Sequence, residues 1–170
     1  MTNKQYLKIA VALLAAAYFF YYAATPYGWH FIDNVNLIIH EAGHWIFWPF
    51  GMFMHILGGS LNQVLVPIIF VVYFYLQNDN YSAALVLFWV GQNLINVSVY
   101  AGDAVKMQLP LLGGEGVIHD WNWLLIYTGQ LHHTDFIAGA IRAAGIVVLI
   151  IAAIWSITSA LSDRKIVNYG

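Results

Sequence analysis

His40-Glu41-Ala42-Gly43-His44 concentrates, in five positions, groups that can do chemistry together. On a helix, residues four apart share a face, so the two imidazoles point the same way. Two such nitrogens can hold one Zn2+ at about 2.0–2.1 Å each. Glu41, between them, does not reach the metal easily but can reach a water held by it. There a carboxylate serves as general base and afterwards as proton donor. An HExxH run arises in roughly 0.3% of shuffled sequences of this composition, so chance is a weak account of it. The plainer reading, core histidines satisfied by backbone carbonyls, suits a soluble helix. In an apolar helix two His and a Glu within one turn need a compensating partner, and a metal ion is the simplest.

A catalytic zinc takes a third protein ligand and keeps one position open. Asp103 ranks first, because it lies just beyond a predicted span after Asn93, Asn96 and Tyr100. His119 or Asp120 come next, as neighbours in a loop. Glu115 ranks last, because it sits in the glycine-rich Gly113-Gly114-Glu115-Gly116 stretch rather than on a helix. The competing account of Asp103 is a helix-end carboxylate at the surface. That of His119-Asp120 is a loop turn with an N-capping aspartate. His132-His133 reads as an interfacial pair rather than a ligand set. Asn36, His40 and His44 recur along one helical face with Asp33 above them, and this face is expected to point into a bundle.

The composition says what scaffold must position these groups. The chain has 170 residues, 61% of them apolar and 8% charged, whereas an average soluble domain carries about 25% charged residues. So few charges cannot cover a soluble domain, and disorder is excluded by the same apolar and aromatic content. The absence of cysteine excludes a disulfide scaffold, a cysteine-ligated zinc or iron–sulfur site and a thiol nucleophile. A net charge of −2, with six thinly spread basic residues, leaves no patch to track nucleic acid.

What remains is a single integral membrane domain over 1–170, all-α, a polytopic helical bundle of about five transmembrane helices. The expected spans are 7–24, 33–50, 61–76, 81–100 and 137–160. The first is too aromatic for a signal peptide and is expected to be retained. Pro67 is expected to kink the third, and Gln77-Asn78-Asp79-Asn80 to form a turn. In the long polar connection 102–136, the apolar piece 123–131 is too short to span and reads as a re-entrant or interfacial segment. Arg142, near the start of the last span, is expected to snorkel. A cytoplasmic N-terminus and five spans would put Lys4, Lys8, Lys106 and Arg142 inside, and Arg164 and Lys165 outside. The expected location is a multi-pass position in a bacterial-type inner membrane, in contact with lipid.

HExxH on a membrane helix, followed two spans later by an aspartate at a helix end, resembles the site-2 protease family of M50 metallopeptidases. In that family the two histidines and a distant aspartate bind zinc, and the glutamate activates water. The aspartate usually sits in a segment like N-x-x-P-x-x-x-L-D-G. Here the stretch is Asn96-Val97-Ser98-Val99-Tyr100-Ala101-Gly102-Asp103-Ala104, with the proline and the trailing glycine missing. The family also places a glycine-rich strand or loop between its first two core helices, and Gly58-Gly59-Ser60 with Asn62 and Gln63 could fill that place. The resemblance covers about 33–105, a three-helix protease-like core, and leaves no room for a PDZ domain. It implies Zn2+ on His40, His44 and Asp103 with Glu41 as base. It further implies a zinc-dependent intramembrane endopeptidase acting on peptide bonds of transmembrane protein substrates. The loop around 113–123 has no counterpart in that family; it is read as a lid or as the source of the third ligand. Asn93 and Asn96, three apart on a helix face, suit hydrogen bonds to an unwound substrate backbone and helix–helix contact equally.

Two other readings compete. A catalytically inactive protease-like subunit could serve as scaffold or accessory chain of a larger membrane complex, beside partner subunits. The missing proline and glycine and the aromatics Trp45, Trp48, Trp121 and Trp123 fit it. A di-iron oxygenase would draw on His40, His44, His119, His132 and His133, but such a cluster generally needs more histidines and leaves Glu41 without a role.

Overall fold

The computed structural model describes residues 1–112 and 116–162, and all regular structure among them is helical. The helices are α1 (Asn3–Ala24), α2 (Phe31–Phe47), α3 (Met52–Leu76), α4 (Asn80–Gly102), α5 (Asp120–Tyr127) and α6 (Thr134–Ser162), with short 3-10 turns at Trp48–Phe50 and Leu131–His133. Four helical segments are long and apolar enough to cross a membrane: α1, α3, α4 and the stretch Leu131–Ser162 that contains α6. These make the chain a membrane protein by length and composition. The fifth expected span rests on α2, which has only 17 residues where a spanning helix needs about 20. Glu115 and the charged run at 163–165 lie outside the described residues.

α1 and α4 start where side chains satisfy orphan amides. At α1, Thr2 and Gln5 form a reciprocal capping box, which occupies two donors that would otherwise go unpaired. At α4, Asp79 accepts from the Ser82 N–H and hydroxyl, and the expected 77–80 turn is present, with Asn78 in the left-handed region at φ 59°. Gln5 Nε2 donates to the Leu161 carbonyl at 2.9 Å, joining the start of α1 to the end of α6. At the other end Arg142 donates to the Ala23 carbonyl at 3.2 Å. Arg142 thus does more than snorkel: its cation meets the negative end of the α1 dipole and one of its unpaired carbonyls. The two contacts run α1 and α6 antiparallel.

α4 stands at the centre and packs on α1, α3 and α6. Its Phe88 and Ile95 form the buried core with Tyr22, Leu149 and Ala152. α4 and α6 cross closely, because a Cβ on Gly145 would stand 2.8 Å from the Gly91 carbonyl; small residues allow such approach between membrane helices. The outer faces, such as Leu14, Ile69 and Ile154, are exposed and apolar, as a lipid-facing surface requires.

The α2–α3 pair departs from expectation. Gly58, Gly59 and Ser60 are not a strand or loop but lie inside α3, which begins at Met52 rather than at 61. Glycine is a poor helix former in water, yet here the missing side chains let α2 settle against α3. A Cβ on Gly43 or on Gly58 would collide with the opposite helix backbone. α3 also continues through Pro67, which is buried inside it. α2 ends at Phe47, and Gly51 reverses the chain at φ 92°, a conformation that favours glycine.

Candidate metal centre

α2 presents His40 and His44 side by side, with ring centroids 4.9 Å apart. Each ring is held from behind. His44 Nδ1 lies 2.8 Å from the His55 carbonyl, and His55 Nδ1 lies 2.9 Å from the His44 carbonyl. A carbonyl oxygen only accepts, so both protons sit on Nδ1. His40 Nδ1 lies 3.2 Å from Gln63 Oε1, and Gln63 Nε2 donates to Asn96 Oδ1 at 2.7 Å. In their neutral forms both histidines therefore turn a bare Nε2 forward.

The third group in front of them is Asp120. Its Oδ2 lies 2.9 Å from His40 Nε2 and 3.3 Å from His44 Nε2. One ligand atom from each of the three residues lies within 4.8 Å of the other two. Three lone-pair acceptors that converge this closely, with His40 and Asp120 buried, repel one another unless a cation or added protons stand between them. Burial alone would raise the Asp120 pKa, but with protons on the two Nε2 atoms the hydrogen bonds from His40 and His44 outweigh it and hold the carboxyl below its ordinary value. Two imidazole nitrogens and one carboxylate oxygen are a ligand set of catalytic zinc, which leaves a fourth position open. Ligands on a tetrahedral zinc stand about 3.3 Å apart, close to the 2.9 and 3.3 Å that separate Asp120 Oδ2 from the two Nε2 atoms.

Sequence reasoning put Asp103 ahead of Asp120, and the geometry reverses that order. Asp103 caps the end of α4 and is fully engaged there. It accepts from the N–H of Gln108 at 3.0 Å, the N–H of Leu109 at 2.9 Å and His119 Nε2 at 3.2 Å. His119 Nδ1 accepts the Asn122 N–H, so its one proton is on the Nε2 that faces Asp103. His119 is thus the N-cap of α5 and pins the loop. Asp120, the first residue of α5, is carried from there into the centre. Its N–H donates to the Tyr100 hydroxyl at 3.0 Å. The N-cap is thus His119 rather than the expected aspartate, and Asp120, one residue inside α5, faces His40 and His44.

Glu41 is exposed and lines a cavity of about 600 Å3 that also reaches His40, His44 and Asp120. Among the described residues its carboxylate has no hydrogen-bond partner. The cavity walls come from the 26–29 turn, α2, α3, α4 and the loop before α5. Asn96 borders it, but both of its N–H groups are spent on Tyr22 and Asp33 and its oxygen on Gln63. Asn93 is buried and donates to the Trp89 carbonyl of its own helix. Asn96 therefore has no free donor, and Asn93 does not line the cavity. His132 and His133 are exposed, with ring centroids 3.9 Å apart, and form no cluster with the centre, so the histidines do not converge as a di-iron site needs. Sequence reasoning missed His55 as a supporting group; it put Gln63 in the 61–76 span, where it does lie on a helix, while the resemblance offered it to a strand or loop. A glutamine in an apolar helix is itself a signal, since it must find a partner inside the bundle.

Gly59 leaves the space that the His40 ring fills: a Cβ there would strike Nε2, Cδ2 and Cε1 of the imidazole. Gly59→Ala is expected to displace the ring, weaken zinc binding about tenfold or more, and cost about 1–3 kcal/mol of stability through overpacking. Metal titration and thermal unfolding of the purified protein check this; wild-type zinc affinity in the variant would refute the packing account.

No family model, curated protein or solved structure matches the chain.

Proposed function

We propose that this chain is a zinc-dependent intramembrane endopeptidase of the site-2 protease type, with zinc held by His40, His44 and Asp120 and Glu41 as the base. The observation that carries the proposal is the convergence of two bare Nε2 atoms and a carboxylate oxygen on the wall of a cavity that Glu41 also lines. When bound, Zn2+ polarises the scissile carbonyl and makes a water acidic enough to react near neutral pH.

The chain's own residues do the rest. Glu41 takes one proton from the attacking water, whose oxygen bonds to the carbonyl carbon. It then delivers that proton to the amide nitrogen as the C–N bond breaks, leaving a carboxyl terminus and an amine. Tyr100 accepts the Asp120 N–H through its oxygen, which leaves its own O–H available to the developing oxyanion. Tyr100 takes the role that Asn93 and Asn96 cannot fill. Val117, Ile118, Leu111 and Leu112 give the cavity an apolar side, suited to the side chains of an unwound transmembrane segment.

The test is metal removal. Purified protein is expected to carry about one zinc per chain and, in proteoliposomes, to cleave a reporter with a single transmembrane helix. Chelation should lower the rate at least about 100-fold, and added Zn2+ should restore it. Absence of zinc, or two irons per chain, would overturn the assignment.

A further inference from the structure

Asp33 is a buried carboxylate that hydrolysis does not use. It is 3% exposed, and among the described residues its oxygens are met by four groups that can donate. Tyr22 O–H, Asn96 Nδ2 and Gln92 Nε2 reach Oδ1 at 2.9, 3.1 and 3.2 Å, and the His30 N–H reaches Oδ2 at 2.8 Å. An ionised carboxylate has no proton to give, so each of these groups must donate. The remaining bonds then have only one sense. Asn96 turns Nδ2 to Asp33, so its Oδ1 must receive Gln63 Nε2. Gln63 therefore turns Oε1 to His40, and its oxygen can only accept a proton from Nδ1. A second branch runs the same way. The Trp89 indole, which can only donate, gives to Asn36, Asn36 to Gln92 and Gln92 to Asp33.

We infer that Asp33 is a positioning residue that fixes the His40 tautomer three hydrogen bonds away, through Asn96 and Gln63, and so keeps the metal-facing Nε2 free of its proton. With an amide in place of the carboxylate the relay can run backwards. The new N–H group then donates to Asn96, Asn96 to Gln63, and Gln63 to His40 Nδ1, which moves the ring proton onto Nε2. Partners behind a metal-binding histidine act through tautomer and orientation, and their loss weakens metal binding about 10–100-fold. The role rests on the proposed metal site, but not on proteolysis.

The experiment compares full-length Asp33→Asn, Asn96→Leu and the double variant, purified in detergent, by competition of Zn2+ with a chromogenic chelator. The 15N spectra of histidine-labelled protein report the tautomer directly. Each single variant is expected to weaken zinc binding about tenfold. The double variant should be no weaker than either, because both break one relay. The wild-type His40 signal should show Nδ1–H, and the Asp33→Asn signal a mixture of tautomers. Unchanged affinity in the single variants, or effects that multiply to about 100-fold in the double, would refute the relay. If Asp33→Asn does not fold, Asn96→Leu leaves Asp33 its other three donors and decides alone by its zinc affinity. A wild type that binds no zinc overturns the metal site instead, and the tautomer spectrum of the zinc-free protein still tests the relay.

Discussion

Glu41→Gln is expected to lower the rate of peptide-bond cleavage by about 10^2–10^4-fold, the range for loss of a general base, while about one zinc per chain stays bound. Glu41 is not one of the three converging ligand groups, so the amide should leave the metal set intact. It is also exposed and without a partner among the described residues, so the change orphans no buried group and should leave the melting temperature unmoved. An effect confined to rate distinguishes a base from a structural acid. The measurement is cleavage of the transmembrane reporter beside metal content and thermal unfolding of the same preparation. Cleavage at the wild-type rate would end the protease assignment. A protein that binds zinc fully, cleaves nothing and supports its cellular role equally well as Glu41→Gln is the accessory subunit instead.

Local patterns were legible in the sequence, and long-range closure was not. His40 and His44 share a face by helical spacing alone, so their pairing needed no knowledge of the fold. Composition likewise gave the helical membrane class and the 77–80 turn. Asp120 was different: it meets His40 across 80 residues of chain, and only the folded loop before α5 brings it there. Rank by position near a span end favoured Asp103, which does lie next to the centre but spends its oxygens on Gln108, Leu109 and His119. The resemblance offered Gly58-Gly59 to a strand or loop, and glycine is indeed a poor helix former where water competes for the backbone. Between apolar helices the same residues serve close approach, and Gly59 in addition makes room for the His40 ring. The polar face of α2 was read correctly as inward. Its depth of connection, from Asp33 through two amides to His40, depends on α3 and α4 and has no local signature.

The order of the two aspartates is the sharpest point of disagreement between sequence pattern and geometry, and a pair of substitutions decides it. Asp120→Ala is expected to weaken zinc binding more than about 100-fold, beyond the range for supporting groups, and to abolish cleavage. The two Nε2 atoms would keep their orientation, because His55 and Gln63 hold them from behind. Asp103→Asn should act more weakly and by another route. One of its two atoms becomes a donor and must face a backbone N–H or the protonated His119 Nε2, so at least one of three hydrogen bonds is lost. The amide is best placed against the exposed Gln108 N–H, so the lost bond costs about 0.5–1.5 kcal/mol. The loop that carries Asp120 then loosens, and zinc affinity should fall about tenfold together with the melting temperature. If Asp103 were the ligand, the order would invert: Asp103→Asn would remove zinc at little cost to stability, and Asp120→Ala would leave it bound. The two accounts differ in which variant loses metal and in which one loses stability, so zinc titration and thermal unfolding of both variants separate them without a substrate.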